Sequence, residues 1–195
     1  MASPNTRRNS DADDNDLYTT PIEALDKLWE NAPRILLNAK TISDPAFGLG
    51  DITRFFQSKG KTTIGNDLYN YGDDFSQWND ITCYSDFLDT NKHNNVFEGS
   101  VMVMNPPFTL TSEFLDKGLE VCDNILMFNR LNTVETLKRA AKFKSKEWPL
   151  RKMFVFSGRV SCPKGVNYDK TANATAFCWF WLDKGYEGEP TITWI

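Results

Sequence analysis

The sequence predicts an α/β protein whose mostly parallel sheet is covered by helices on both faces. Strand-like runs alternate with helix-like stretches from residue 17 to residue 144, the pattern of parallel strands joined by crossover helices. Three strand-like runs then follow without helical spacing between them, which predicts an antiparallel pair at the C-terminal end. At 195 residues, the chain is long enough for one domain with its own core.

The predicted elements begin with a helix in TTPIEALDKLWE. There Thr20 is a suitable N-cap, Pro21 suits the first helical position, and Glu23 completes a capping box. Further helices are predicted in DITRFFQSKG, over 111–121 and in TVETLKRAAKF. The strand-like runs, in chain order, are the start of TISDPAFGLG, then KTTIGND, DITCYSDFL, SVMVMNPP, NILMFNRL, KMFVFSG, ATAFCWFWL and PTITWI.

Residues 1–16 are polar and charged, and we predict that they form a disordered tail. Two arginines and four aspartates give this tail a net charge of −2, which argues against a nucleic-acid-binding arm. Residues 17–195 are predicted to form a single domain.

Composition argues against several classes of protein. A net charge of −4 and a pI of about 5.1 are not typical of a protein held to nucleic acid by its whole surface. No apolar run approaches membrane-spanning length, and the four cysteines, which show no CxxC spacing, are interpreted as reduced thiols of a cytoplasmic protein. Because His93 is the only histidine, no metal site is predicted, and chemistry without a histidine base is favoured.

Three segments are expected to meet at one edge of the sheet, since ligands of such sheets bind at the carboxyl ends of the strands. They are 44–50, Asp67 and 105–108. In the first, DPAFGLG, two glycines allow close approach of backbone to a ligand, and the acidic neighbour suits a nucleoside that carries positive charge. Asp67 is placed either to accept hydrogen bonds from ribose hydroxyls or to be a solvated strand-end aspartate.

After the third strand-like run, SDFL offers an acid and an aromatic side chain. Asp86 is placed to accept a hydrogen bond from an exocyclic amine, and Phe87 to cover a purine ring.

The most specific signal is Asn105-Pro106-Pro107-Phe108, which ends the fourth run. Two prolines fix the backbone and remove two N–H donors, so that carbonyls face a ligand without competing donors. The side-chain oxygen of Asn105 and the carbonyl of Pro106 are then placed to accept from one amine, which would make its lone pair available for attack. Phe108 is either the aromatic surface on which the ring of that amine stacks or a core residue.

On these residues the sequence resembles the S-adenosylmethionine-dependent amino-methyltransferases, and among them the small phage-type DNA adenine-N6 methyltransferases. NPPF matches their catalytic motif in full, DPAFGLG resembles the glycine motif, GND at 65–67 the ribose-binding acid, and SDFL the motif beside the cofactor's adenine. DLYTTPIEALDKL resembles the N-terminal motif that holds the methionine end of the cofactor, and the motif order is that of the gamma arrangement.

The resemblance implies a Rossmann-like class I methyltransferase fold with a seven-stranded, mostly parallel sheet, helices on both faces and an antiparallel C-terminal strand pair. It implies methyl transfer from S-adenosyl-L-methionine, with S-adenosyl-L-homocysteine as product, to a base-flipped adenine N6 of DNA, without a metal. The implied catalytic residues are Asn105, Pro106, Pro107 and Phe108. The implied cofactor-binding residues are Tyr18, Thr19, Thr20, Pro21, Asp44, Ala46, Phe47, Gly48, Gly50, Asp67, Asp86, Phe87 and Asn105.

The substrate stays open between DNA adenine, RNA adenine and protein glutamine, and a protein that binds the cofactor without turnover is a further alternative. Substrate-binding residues are predicted to be Phe108, Arg159 and Lys164, the last two in the polar loop 157–175. The stretch 138–152 holds seven Lys/Arg, one Glu and Trp148, and is either a nucleic-acid track or a solvated helix face beside a core tryptophan. Only 16 residues separate Leu88 from Asn105, so no separate target-recognition domain is predicted.

Overall fold

The computed structural model describes residues 17–72, 77, 79–89, 96–162 and 175–195. The predicted tail over 1–16, His93, Lys164 and most of the loop 157–175 lie outside the described residues.

The described elements alternate as the sequence predicts. In chain order they are α1 (Ile22–Glu30), α2 (Arg34–Asn38), β1 (Thr41–Asp44), α3 (Asp51–Ser58), β2 (Thr62–Asp67), β3 (Ile81–Tyr84), β4 (Val101–Met104), α4 (Thr111–Val121), β5 (Asn124–Arg130), α5 (Leu137–Lys144), β6 (Leu150–Val155), β7 (Phe177–Asp183) and β8 (Thr191–Trp194). Short 3₁₀ helices at Phe108–Leu110 and Leu131–Val134 precede α4 and α5.

All eight strands form one sheet in the order β3-β2-β1-β4-β5-β7-β6-β8. Strand β7 runs antiparallel to β5 and β6, while the other pairings are parallel. The sheet has one strand more than the seven expected, because β8 pairs in parallel with β6 and extends that edge. The chain order reverses between β1 and β4, so a crevice opens at their carboxyl ends, the position where sheets of this kind bind ligands.

The central strands are apolar on both faces. Val101 and Val103 of β4 lie in one buried cluster, with α1 and α3, whereas Met102 and Met104 lie in the other, with α4. Alternate residues of β5 and β7 divide between the two clusters in the same way. This two-sided burial explains why the strands read as continuous apolar runs, which is typical of a sheet covered by helices on both faces.

The capping box predicted for the start of α1, with Thr20 as the N-cap, is wrong. Helix α1 begins at Ile22 with Pro21 in the N-cap position, and no side chain caps it. The Thr20 hydroxyl instead accepts a hydrogen bond from Asn105, 85 residues away. A long-range partner has therefore taken the group that a local capping box would use.

Among the described residues, no helix is long and apolar enough to cross a membrane.

Close packing of α4 on the sheet depends on Gly118. A Cβ at this position would lie 2.8 Å from Cδ1 of Ile125 and 3.2 Å from Sδ of Met102, both of which are fully buried. We expect Gly118→Val to lower the free energy of unfolding by about 1–3 kcal/mol through overpacking, as measured by urea denaturation. Gly158→Val is the matched control, since its Cβ would meet nothing within 4 Å. Equal effects at both glycines would contradict this account of the α4 packing.

Candidate functional site

A cavity of about 220 Å³ lies at the carboxyl ends of β1, β2, β3 and β4. It contacts residues from each motif predicted to bind the cofactor or the target amine, including Tyr18, Ala46, Asp67, Asp86, Phe87 and Asn105. The predicted meeting of these segments at one sheet edge is confirmed by their common lining of this cavity.

The side chain of Asn105 is held in one orientation by its amide nitrogen. Nδ2 donates to the carbonyl of Tyr18 (3.1 Å) and to Oγ1 of Thr20 (3.1 Å), and it lies 3.9 Å from Sγ of Cys162. Both N–H groups of the amide are therefore used, and this fixes which atom of the carboxamide is the oxygen. Oδ1 is buried and finds no hydrogen-bond partner among the described residues. A buried acceptor of this kind fits a donor supplied by a ligand.

The segment before α1 is attached to two motifs at once. Thr20 accepts from Asn105 through its hydroxyl, and its backbone N–H donates to Oδ2 of Asp51 (3.1 Å), the first residue of α3. Cys162, which follows β6, lies against the same segment and has Sγ 3.4 Å from the carbonyl of Thr19. These contacts join the N-terminal motif, the glycine motif and the NPPF motif into one unit.

Asp67 organises the glycine turn. Its Oδ2 accepts from the N–H of Gly48 (2.9 Å), and its Oδ1 accepts from the N–H of Tyr69 (3.0 Å). Gly48 and Gly50 have φ of +53° and +76°, a region that favours glycine, and a Cβ on Gly48 would lie 3.0 Å from Leu17. A carboxylate has about four acceptor sites, so Asp67 keeps capacity for a ligand that donates from the cavity.

Three carboxyl groups lie close together at this edge. Burial raises the pKa of Asp44 well above its usual range, and the charges of Asp67 and Asp51 raise it further. Burial also raises the pKa values of Asp51 and Asp67, although the charge of Arg54 beside Asp51 and the hydrogen bonds of both carboxyls to backbone N–H groups act in the opposite direction. Like charges in a desolvated place are unfavourable, so this edge favours a positively charged ligand.

Asp44 is buried and lies behind the cavity rather than on its surface. Its Oδ1 accepts from the N–H of Ala46 (3.1 Å), which shapes the turn that follows β1. The other predicted cofactor residues outside the cavity lining are Thr19, Thr20, Pro21, Phe47, Gly48 and Gly50. Their contacts support the lining instead, through Asp67 and the segment before α1.

The far end of the cavity holds Asp86 and Phe87. Oδ1 of Asp86 accepts from the N–H of Leu88 (2.9 Å) and so forms a local turn, with the carboxylate exposed. Phe87 is buried against Phe97 and Phe114, with ring centroids 5.4 and 5.3 Å away. The sequence does not identify Tyr69 and Tyr71, which also line the cavity just after β2. The only signal for them is the aromatic pair in DLYNYG directly after the strand-end acid.

Phe108 lies in the core behind the cavity, not among the residues that line it. Only 9% of it is exposed, because its ring contacts Tyr18 (4.6 Å between centroids), Phe177 (5.8 Å) and the guanidinium of Arg130 (4.4 Å). A ring that stacks on Phe108 has to displace one of these neighbours. The sequence does not identify Arg130 as a site residue, since it ends the apolar strand β5 without a motif of its own.

The basic stretch 138–152 extends from the carboxyl ends of the strands to their amino ends. Trp148 is fully buried and donates from Nε1 to Asp116 (2.7 Å), so the core interpretation of this tryptophan is correct and the stacking interpretation is wrong. Lys142 pairs with Asp116 and Glu147, both at 2.7 Å. Helix α5 runs from the carboxyl end of β5 to the start of β6, which places 144–152 at the edge away from the cavity. Arg159 is exposed and follows the carboxyl end of β6, at the cavity edge.

Among the described residues, no group of three or more His, Cys, Asp or Glu side chains is arranged to hold a metal ion.

No family model and no curated protein matches the sequence. Solved structures do match the fold. A candidate RNA methyltransferase from Pyrococcus horikoshii, PH1948, aligns with a TM-score of 0.65 at 16% identity and covers 86% of each chain. A candidate class I S-adenosylmethionine-dependent methyltransferase from Listeria monocytogenes aligns at 0.58 and 13% identity, over 89% of this chain and 62% of that one. The DrdV chain of a DrdV–DNA complex aligns at 0.58 and 13% identity, over 91% of this chain and 27% of its own length. This chain therefore has the class I methyltransferase fold.

The desolvated carboxyl of Asp44 has a consequence for stability. The pKa of Asp44 is higher in the folded state than in the unfolded state. The folded state therefore loses stability as the pH rises from the pKa of the unfolded state towards that of the folded state. We expect Asp44→Asn, which removes the charge, to raise Tm at pH 7 by about 2–4 °C, with an advantage that disappears towards about pH 4. Thermal unfolding from pH 4 to pH 8 measures this, with the exposed Asp123→Asn as control. A Tm difference that is constant across this range would contradict the assignment.

Proposed function

We propose that this chain transfers a methyl group from S-adenosylmethionine to an exocyclic amine, and that the amine is N6 of adenine in DNA. The observation that carries the proposal is Oδ1 of Asn105, a buried acceptor without a partner among the described residues, in a cavity-lining amide whose orientation is fixed by two donated hydrogen bonds. The fold supports a methyltransferase, and the NPPF motif supports an amine as the acceptor of the methyl group.

The cavity suits the cofactor at three points. Asp67 has acceptor capacity for ribose hydroxyls, and Asp86 and Phe87 lie where an adenine ring would need an acceptor and an apolar cover. The buried carboxyl of Asp44 lies beside the turn that lines the other end, where positive charge on the cofactor relieves its repulsion with Asp51 and Asp67. When bound, S-adenosylmethionine supplies an electrophilic methyl group on a positively charged sulfur.

The protein's own contribution is to make a poor nucleophile reactive. The lone pair of an aromatic amine is delocalised into its ring, and acceptors on both N–H groups favour a pyramidal nitrogen whose lone pair is free. Oδ1 of Asn105 is one such acceptor. We assign the second acceptor to the carbonyl of Pro106, as the resemblance of the NPPF motif implies; the carbonyl of Pro107 accepts from Leu110 (2.9 Å). Preformed acceptors in a buried place need no reorganisation during the reaction, which is where they lower the barrier.

As methyl transfer proceeds, the new N–C bond forms while the S–C bond breaks, and the amine nitrogen becomes cationic. A proton then leaves this nitrogen for solvent, which restores the neutral secondary amine. Oδ1 of Asn105 stabilises the growing positive charge on the N–H groups, so no histidine base is needed.

The nature of the substrate rests on weaker support than the reaction. Among the structural neighbours, PH1948 is described as a candidate RNA methyltransferase and DrdV is in complex with DNA, so RNA adenine is the second candidate. Glutamine in a protein and binding without turnover are the remaining alternatives. We propose that residues 17–195 form a single domain without a separate target-recognition domain. A small interface offers little binding energy to offset base flipping, so unpaired or mismatched DNA is the favoured substrate.

The cofactor part of the proposal is tested at Asp67. We expect Asp67→Ala to weaken the binding of S-adenosylhomocysteine by about 1–3 kcal/mol, the scale for hydrogen bonds to a charged group. Isothermal titration calorimetry measures this affinity. The control variant is Asp123→Asn, which removes one exposed carboxylate from the turn before β5, at the end of the strands opposite to the cavity. A folded wild-type chain that binds neither S-adenosylmethionine nor its product would refute the proposal.

The catalytic part is tested at Asn105. We expect Asn105→Ala to lower the rate of methyl transfer by on the order of 10²–10³-fold, the scale for removing one preorganised hydrogen-bonding group, with cofactor binding retained. The rate is measured as N6-methyladenine formed from methyl-labelled S-adenosylmethionine, by mass spectrometry of nucleosides, on single-stranded DNA, duplex DNA and RNA in parallel.

Thr20 provides the matched pair of variants for this experiment. Thr20→Ser keeps the hydroxyl that accepts from Nδ2 of Asn105 and is expected to keep most of the activity, whereas Thr20→Val removes it and is expected to lose activity. An Asn105→Ala enzyme that works at the wild-type rate would show that Oδ1 is not the acceptor. Methylated protein glutamine in place of methylated adenine would leave the role of Asn105 intact and change the substrate.

A further inference from the structure

Arg130 is placed to bind the backbone of a nucleic acid, and we propose that its guanidinium holds a phosphate next to the target base. This inference depends on the proposed function in one respect, namely that the substrate is a nucleic acid. The residue is the last of β5, the strand beside β4, so it lies at the same sheet edge as the NPPF motif.

The position of Arg130 relative to the catalytic amide is well defined. Its guanidinium carbon lies 4.4 Å from the centre of the Phe108 ring, three residues after Asn105. Its positive charge also acts on Cys162, which contacts Nδ2 of Asn105. Arg130 does not line the cavity assigned to the cofactor, so the ligand proposed for its guanidinium is not the one that Asp67 faces.

The guanidinium of Arg130 is half-buried and has no acidic partner within the part of the chain that the structure describes. Nε is buried and has no acceptor among the described residues, and no carboxylate of the described chain lies within 4.0 Å of the group. Arg54 and Arg151, by contrast, pair with Asp51 (3.2 Å) and Asp183 (2.6 Å). Desolvated cations are normally paired, so an unpaired one beside a candidate active site indicates an anion that arrives with the substrate.

Two features favour a phosphate over a carboxylate as this anion. The guanidinium carbon lies 4.4 Å from the centre of the ring that ends the catalytic motif, and every nucleotide that presents a base there brings a phosphate with it, whereas it brings no carboxylate. A base stacked on Phe108 also has to replace Tyr18, Phe177 or Arg130. Phe177 belongs to the buried core and Tyr18 packs against it, whereas Arg130 is in neither buried cluster. The guanidinium is the group free to turn away, and a phosphate of the entering strand gives it a partner.

The backbone under Arg130 and that under Phe108 are held together. The N–H of Arg130 donates to Oδ1 of Asn129 (2.8 Å), Nδ2 of Asn129 donates to Oγ1 of Thr111 (3.0 Å), and Oγ1 of Thr111 donates to the carbonyl of Phe108 (3.1 Å). This network connects the backbone of Arg130 to that of Phe108, so both side chains extend from one connected unit towards the same nucleotide.

The test is binding of a labelled single-stranded oligonucleotide with one adenine, measured by fluorescence anisotropy in the presence of S-adenosylhomocysteine. Each phosphate near the adenine is replaced in turn by a neutral methylphosphonate. We expect one of these replacements to weaken binding by the wild type about tenfold. The Arg130→Gln variant should bind the unmodified strand about tenfold more weakly than the wild type does. That replacement should not weaken binding by the variant any further. Arg130→Lys, which keeps the charge, should recover part of the affinity.

Arg34→Gln is the matched control, since Arg34 is exposed on α2, which precedes the amino end of β1. It should keep full sensitivity to the modified strand, and only Arg130→Gln should reduce the slope of log affinity against log salt by about one. If binding by the Arg130→Gln variant is weakened by methylphosphonate at each phosphate as much as binding by the wild type, the inference is overturned, even if adenine is methylated. Preferential binding of an acidic peptide over the oligonucleotide would overturn it too. The expected pattern in a chain that transfers no methyl group would support the inference and refute the proposed function.

Discussion

The fixed orientation of the Asn105 carboxamide is the constraint on which the site depends. Its two N–H groups bind the chain just before α1, at the Tyr18 carbonyl and the Thr20 hydroxyl, so its oxygen is left as a buried acceptor without a partner among the described residues, in a side chain that lines the cavity. The same segment is bound from the other side by Asp51 at the start of α3. Strand β4, helix α3 and the N-terminal segment are therefore coupled at Thr20, which binds the side chains of both Asn105 and Asp51. Movement of any of them changes the direction in which the acceptor points.

The acidic groups around this amide destabilise the fold, and binding of a ligand explains their presence. Asp44, Asp51 and Asp67 are desolvated and repel one another, and burial raises the pKa of each. Hydrogen bonds from the turn after β1 and from Tyr69 compensate in part. A cationic ligand in the crevice relieves the remaining repulsion, so the features that weaken the empty fold are those that favour binding.

Much of this arrangement is encoded in patterns that are local in the sequence. Apolar strands followed by Asp44, Asp67 and Asn105 predict the sheet and place these residues at its carboxyl edge, because strand direction alone decides that placement. The hydroxyl of Thr20 was assigned to a helix cap because a local partner was available, whereas the fold gives it a partner 85 residues away. Arg130 gives no local signal, since its role depends on β5 being the neighbour of β4.

The most direct test of the account is a crystal structure of the chain with S-adenosylhomocysteine and a short single-stranded oligonucleotide that contains adenine. The account predicts the adenine N6 at about 3.0 Å from Oδ1 of Asn105, with Nδ2 still bonded to the Tyr18 carbonyl and the Thr20 hydroxyl. A bound adenine whose amine points away from Asn105, or an amide turned so that Nδ2 faces the crevice, would contradict it.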